Sequence, residues 1–209
     1  MSGHSDYPDM HNSSYHRSGY HDSGYPSAIK IVISGGFGVG KTTFIGSISE
    51  IEPLTTEAAM TERSIGIDDA SLLESKHTTT VALDFGRITL DPTLILYLFG
   101  TPGQDRFDFL WDDLTDGALG AVIIADTRRI EDCYPVLDYF EAHGTPFLVA
   151  VNGFDGADVF DLEEVREALG VHPNVPVLYC DARQRESVKE ILAALIEQVL
   201  LQRQAGSLA

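Results

Sequence analysis

The chain has 209 residues, which suits one domain of ordinary size with a terminal tail. Its 32 acidic residues outnumber the 14 lysines and arginines, and a net charge of -18 argues against a nucleic-acid surface, because phosphate backbones are bound by clustered basic side chains. The two cysteines, Cys133 and Cys180, lie far apart without metal-ligand spacing, so the sequence predicts neither a disulfide framework nor a zinc site.

The sequence also carries expectations about location. Its cysteine usage indicates a reducing compartment. No apolar run approaches the roughly 18 residues that span a bilayer, residue 2 is a serine, and residues 206–209 hold no cysteine for prenylation. We therefore expect a cytoplasmic monomer with no direct membrane anchor, which a partner would have to recruit to a membrane.

In chain order, residues 1–27 are rich in Ser, Gly, His, Tyr and Asp without periodic aliphatic residues, which is typical of a disordered tail. Apolar runs then predict six strands over 29–34, 81–86, 93–99, 121–125, 147–151 and 175–179. Helical patterns cover 41–50, 129–142, 162–169 and 187–201. We place the folded domain over 28–203 and a short C-terminal tail over 204–209.

This alternation predicts an α/β fold with a six-stranded, mostly parallel sheet and helices on both faces. Only a short turn at Asp91-Pro92 separates the second strand from the third, so these two are expected to pair antiparallel as a hairpin. The segment 53–79 has few aliphatic residues and is expected to be a mobile connection.

A phosphate-binding loop follows the first strand. The run Gly35-Gly36-Phe37-Gly38-Val39-Gly40-Lys41-Thr42 has the Walker A spacing G-x-x-x-x-G-K-[ST] of a P-loop NTPase. Its backbone N–H groups are expected to surround the β-phosphate, with Lys41 on the β- and γ-phosphate oxygens and Thr42 on magnesium. The residues predicted to bind the nucleotide here are Gly35, Gly36, Phe37, Gly38, Val39, Gly40, Lys41, Thr42 and Thr43.

Two later loops concern the base. Asn152-Gly153-Phe154-Asp155 follows the fifth predicted strand and is similar to the N-K-x-D guanine motif. Asp155 can accept from both N1–H and N2–H of guanine, and adenine offers no such donor pair. Cys180-Asp181-Ala182-Arg183 follows the last strand in the place of an S-A-K loop. We therefore predict Asn152, Asp155, Asp181, Ala182 and Arg183 as guanine-binding residues; the alternative for Asn-x-x-Asp alone is a surface turn.

From 29 to 203 the order of motifs resembles that of Ras-superfamily small GTPases, and in particular the MglA-like bacterial group. Residues 78–85 resemble switch I, and residues 98–104 resemble switch II. The variants in the three loops resemble the conservon (CvnD-type) GTPases of actinobacteria. The resemblance implies a GTPase that binds GTP and GDP with magnesium, hydrolyses GTP slowly, and acts in signal transduction beside a roadblock/LC7 protein and a sensor-kinase-like protein.

The resemblance also implies individual roles. Lys41 would hold the phosphates, Thr42 and Thr80 would ligate magnesium, Gly103 would offer its N–H to the γ-phosphate, and Gln104 would orient the attacking water. Gln104, Lys41 and Thr80 are thus the predicted catalytic residues. The neighbouring threonines at 78 and 79 leave the register of the magnesium ligand open.

Two glycines depart from the small-GTPase pattern. Gly100 stands where most such proteins carry an aspartate that reaches magnesium through water; Asp84 or Asp126 are candidates to replace it. Gly153 stands in place of the lysine that covers the base and braces the phosphate loop. We expect guanine preference to survive in Asp155, with lower affinity.

Phe37 is a third departure, at a loop position that is usually small. Its ring is expected to impede an arginine supplied by a partner, which predicts slow intrinsic hydrolysis. Acceleration would then depend on a partner that repositions Gln104 or on an arginine within the chain, Arg63 or Arg106. Two other functions stay open. One is a nonhydrolysing GTP-binding scaffold, and the other is a P-loop small-molecule kinase, although the chain has no arginine-rich lid insertion.

Overall fold

The computed structural model describes residues 26–52, 54–61, 78–103 and 110–206. Within these ranges the chain forms one twisted sheet of seven strands in the order β2-β3-β4-β1-β5-β6-β7. The strands are β1 Ser27–Ser34, β2 Leu54–Thr61, β3 Thr78–Asp91, β4 Leu94–Gly100, β5 Gly120–Ala125, β6 Phe147–Asn152 and β7 Val177–Cys180. All neighbours pair in parallel except β2 with β3 and β3 with β4, which are antiparallel.

Helices cover both faces of the sheet. They are α1 Lys41–Ile48, α2 Trp111–Thr115, α3 Tyr134–His143, α4 Leu162–Leu169 and α5 Arg185–Gly206, and a 3-10 turn, Thr127–Cys133, precedes α3. None of the described helices is long and apolar enough to cross a bilayer.

The core consists of two layers, one on each face of the sheet. Alternate strand residues point to opposite layers, so that Ile31 and Ile33 pack with α1 and α5, whereas Val32 packs with α3 and α4. A strand buried on both faces needs apolar residues at nearly every position, which is why β5 and β6, buried along their whole length, read as nearly continuous apolar runs.

The predicted α/β class, the mostly parallel sheet and the β3–β4 hairpin are confirmed. The sheet has one strand more than predicted, because β2 lies within the segment expected to be a mobile connection. Its sequence, LTTEAAMT, contains few large aliphatic residues, so nothing local marks it as a strand. It forms at the sheet edge by pairing with β3, from Leu54 opposite Phe85 to Thr61 opposite Thr78.

The helical pattern over 129–142 divides into two elements. Arg129 leaves the helical conformation, with φ -148° and ψ 57°, and α3 begins only at Tyr134 with Pro135 in its first turn. The turn Thr127–Cys133 that results lies directly after β5, at the end of the sheet where β1, β6 and β7 also lead into loops. Both cysteines are free and buried.

Candidate functional site

The phosphate-binding loop connects β1 to α1 and depends on its glycines. Gly35 has φ 135°, and a Cβ there would come within 2.4 Å of the Ile124 carbonyl oxygen. Gly40, with φ 107°, caps α1, and a Cβ there would come within 2.7 Å of Asn152 Nδ2. Side chains at these two positions would be strained and would push the loop away from β5 and β6.

Lys41 lies under this loop and is only 8% exposed. Its Nζ donates to the carbonyl oxygens of Gly35, at 2.8 Å, and Gly36, at 2.7 Å. Burial lowers the pKa of Lys41 to about 8, against a smaller opposing effect of Asp84. Gly103 lies against the same group, since a Cβ on it would come within 2.7 Å of the Lys41 Nζ. The structure therefore brings together the lysine and the switch II glycine of the sequence prediction.

A carboxylate stands beside Thr42, although position 100 is glycine. Thr42 Oγ1 donates to Asp84 Oδ2 at 2.5 Å. Asp84 lies on β3, next to Gly100 on β4, and a Cβ on Gly100 would come within 3.0 Å of the Asp84 Cβ. The strand neighbouring β4 thus supplies the acid that β4 lacks. A hydroxyl and a carboxylate are hard oxygen ligands and fit a magnesium ion.

Asp126, the other candidate, is engaged elsewhere. It is fully buried, and its carboxylate accepts from the backbone N–H of Arg128 at 3.0 Å, from its Nε at 2.9 Å and from its Nη2 at 2.7 Å. The Arg128 hydrogen bond holds the pKa of Asp126 below its usual value. The guanidinium of Arg128 lies 3.8 Å from the ring centroid of Phe154, so this pair orders the loops after β5 and β6.

At the predicted base site, Asn152 connects the end of β6 to the phosphate-binding loop and to the loop after β7. Its Nδ2 donates to the Val39 carbonyl oxygen at 2.9 Å, and its Oδ1 accepts from the Ala182 N–H at 3.0 Å. Asn152 is only 7% exposed, so both backbone groups depend on it. The motif asparagine therefore fixes the phosphate-binding loop relative to the loop after β7.

Arg183 lies between the two carboxylates of the predicted base site. Its Nη1 is 3.1 Å from both Asp155 oxygens, and its Nε and Nη2 donate to Asp181 at 2.8 and 3.0 Å. These hydrogen bonds from Arg183 hold the pKa of Asp181 below its usual value. The Asp155 side chain is 89% exposed, so a ligand can reach it in competition with Arg183.

One cavity of about 200 Å³ joins the phosphate-binding loop to this base side. It is lined by Gly38, Gly40, Thr43, Asn152, Gly153, Phe154, Asp155, Ala182 and Arg183. Segments that are more than 110 residues apart in sequence therefore form one site, as the parallel sheet with its loops at the strand ends predicts.

Other predicted residues are not placed at this site. Thr80 lies in β3 opposite Ala59 of β2, and its role as a magnesium ligand stays a prediction. Gln104, Arg63 and Arg106 lie outside the described residues, as does the tail before residue 26. The sequence analysis missed the roles of Arg128 and Arg129, the second of which it placed at the start of a helix. The available signal was the pair of adjacent arginines shortly after a buried strand.

The strand, glycine loop and helix, with one cavity leading to the loops after β6 and β7, define a nucleotide-binding P-loop protein with the fold of a G domain. The chain belongs to the family described as "Conserved hypothetical ATP binding protein", which matches residues 33–202. It is also similar to an uncharacterized protein of Methanocaldococcus jannaschii, MJ1339, with 28% identity over 139 residues, which are 66% of this chain and 77% of that protein.

Solved structures with this fold include three of the iron transporter FeoB. The T. maritima G domain has a TM-score of 0.57 at 18% identity and covers 82% of this chain and 99% of its own length. The Methanococcus jannaschii G domain has a TM-score of 0.54 at 18% identity, and the match covers 82% of this chain and 97% of that domain. The apo cytosolic domain from T. maritima has a TM-score of 0.58 at 17% identity. The match covers 83% of this chain and 64% of that domain. At these identities the similarity shows the fold alone.

Proposed function

We propose that the protein is a GTP-binding molecular switch that hydrolyses GTP to GDP and phosphate slowly and signals through its switch loops to protein partners. The observation that carries this proposal is the cavity that runs from the phosphate-binding loop to Asp155. An accessible carboxylate at that end of the cavity suits the paired N1–H and N2–H donors of guanine.

Each part of the site has a distinct task in this proposal. The loop N–H groups, the N-terminus of α1 and Lys41 bind the phosphates, because together they present a concentrated positive potential. Thr42 and Asp84 hold the magnesium ion, which when bound neutralises charge on the β- and γ-phosphate oxygens. Gly103 senses the γ-phosphate through its N–H, and Gln104 orients water.

The switch and its partners extend the proposal beyond the described site. Contacts of Thr80 and Gly103 that require the γ-phosphate would be lost together on hydrolysis, which releases two loops at once. By resemblance the partners are a roadblock/LC7 protein and a sensor-kinase-like protein. We propose a cytoplasmic monomer that such a partner recruits to the membrane.

ATP is the second candidate ligand. The family description names ATP binding, and in the structure Asp155 is already engaged by Arg183, with which guanine would have to compete. An ATP-binding P-loop protein would use the same phosphate site and leave Asp155 and Arg183 as a surface ion pair.

Nucleotide binding and phosphate release separate these functions. We would measure the binding of GTP and ATP to the purified chain with magnesium, and follow phosphate release over hours. GTP-selective binding with slow release supports the switch. Equal binding of both nucleotides supports the ATP-binding alternative, and GTP binding without detectable release supports a nonhydrolysing scaffold.

A further inference from the structure

The turn after β5 contacts the outer side of the phosphate-binding loop. Arg129 Nη2 donates to the carbonyl oxygen of Phe37 at 2.7 Å. A Cβ on Gly36 would come within 2.6 Å of the Asp132 Cβ, so that side chain lies directly on the loop. Two carboxylates hold Arg129: Asp132 Oδ2 lies 3.4 Å from its Nη1, and Asp126 Oδ2 lies 3.9 Å from its Nη2. The turn and the loop are thus joined by packing and by hydrogen bonding.

This contact orients a peptide group. In a trans peptide the C=O of one residue and the N–H of the next point in opposite directions. Because Arg129 holds the Phe37 carbonyl outward, the N–H of Gly38 is turned inward, and Gly38 lines the cavity. The Asn152 side chain acts in the same way on the Val39 carbonyl, and so on the N–H of Gly40. An inward N–H is what a phosphate-binding loop requires.

The base motif brings no such cation to the cavity. Gly153 lines the cavity, and a Cβ there would meet only the Cys180 carbonyl oxygen, at 3.8 Å. Its φ lies outside the left-handed region, so a larger residue fits this position without strain. The loop therefore receives no charged side chain from the base motif, whereas Arg129 brings a guanidinium within 3.7 Å of the Cβ position of Gly38.

We propose that Arg129 is a positioning residue of the nucleotide site, which holds the tip of the phosphate-binding loop in its binding shape and places a guanidinium beside it. Its guanidinium takes the place of the lysine ammonium that is absent at Gly153. This inference rests on the proposed function only in that the loop binds a nucleotide. It predicts an effect on how long the nucleotide stays bound, and none on which base is chosen.

The test compares the dissociation of a fluorescent GDP from the wild-type protein and from Arg129→Ala, Arg129→Lys and Arg129→Ala/Gly153→Lys. A matched control is Lys189→Ala, which removes an exposed cation on α5 that pairs with Glu186. Loss of a charge-assisted hydrogen bond is expected to speed dissociation from Arg129→Ala by about ten- to hundred-fold. Arg129→Lys should show a smaller increase, and Lys189→Ala should match the wild type.

The double variant separates positioning from a merely structural contact. A lysine introduced at Gly153 places a cation in the cavity that Gly38 also lines, so it should restore slow dissociation in the Arg129→Ala background. The inference is overturned if Arg129→Ala releases GDP at the wild-type rate, or if the added lysine leaves fast release unchanged. A wild-type protein that binds neither GDP nor GTP would instead contradict the proposed function, and the two failures are therefore distinguishable.

Discussion

At the scale of single residues, the ammonium group of Lys41 occupies an unusual environment. Burial lowers its pKa to about 8, against an ordinary value of 10.5. Between these values the folded protein holds fewer protons at this position than the unfolded chain, so the group makes the free energy of unfolding rise with pH in that window. Nucleotide phosphates favour the charged form, so binding is coupled to the uptake of a proton.

Calorimetry of GDP binding in buffers of different ionisation enthalpy measures this uptake. At pH 9, where the free protein is mostly deprotonated at Lys41, we expect uptake of nearly one proton, and at pH 7 almost none. The variant Lys189→Met alters an exposed lysine and should show the same pattern. Equal proton uptake at the two pH values would contradict the assignment.

Asp84 supports a second residue-scale prediction. Asp84→Asn removes the negative charge beside Thr42 but retains an oxygen that can accept its hydrogen bond. We expect the magnesium concentration that half-maximally retains GDP to rise by about tenfold, which corresponds to about 1.4 kcal/mol, while GDP binding in a chelator stays unchanged. The exposed Asp138→Asn on α3 is the control, and an unaltered magnesium dependence of Asp84→Asn would refute the role.

The sequence alone predicts candidate site residues where their spacing is local. The phosphate loop with Lys41, and the motif residues Asn152 and Asp155, follow from short patterns at strand ends. The position of Asp84 opposite Gly100 was not predictable in this way, because it depends on the antiparallel register of β3 and β4. Arg129 was missed for the same reason, since its partner, Phe37, lies 92 residues away.

At the scale of elements, the ends of the helices show which boundaries a sequence defines. Helix α4 has the predicted bounds because Asp161 caps its N-terminus, accepting from the Glu163 N–H at 2.8 Å, and Gly170 ends it in the left-handed conformation. Strand β2 has no such local signal and forms only because β3 pairs with it. Its edge position explains why the apolar pattern missed it.

Asn152 provides the element-scale prediction, because it connects β6 to the loops after β1 and β7. Asn152→Ala leaves the Val39 carbonyl and the Ala182 N–H without their side-chain partner. We expect the free energy of unfolding to fall by about 2–6 kcal/mol, at 1–3 kcal/mol for each of the two buried unpaired groups. Urea denaturation of the nucleotide-free protein measures this change.

The control for this measurement is Asn174→Ala, in the exposed turn before β7, which should change the free energy of unfolding by less than about 0.5 kcal/mol. Equal stability of the two variants would show that the connection by Asn152 contributes nothing. GDP affinity should fall in Asn152→Ala only, since this residue also orients the peptide before Gly40.

At the scale of the whole molecule, the net charge of -18 opposes the approach of an anionic nucleotide. The positive groups of the phosphate site act over a shorter distance than this overall field. Because salt screens the long-range repulsion, with a Debye length of about 10 Å at 0.1 M, we expect the association rate of a fluorescent GTP to rise with salt. Stopped-flow measurement from low to moderate salt tests this, and a falling rate would indicate net attraction.

The central claim is that one cavity binds phosphates at the glycine loop and a guanine base at Asp155. Competition of GTP, ATP and xanthosine triphosphate for the wild-type protein and for Asp155→Asn, with Asp138→Asn as control, tests it most directly. We expect the wild type to prefer GTP, and Asp155→Asn to lose that preference in favour of xanthosine triphosphate, because an amide replaces one acceptor oxygen with a donor. An unchanged nucleotide preference in Asp155→Asn, or equal binding of ATP and GTP by the wild type, would contradict the claim.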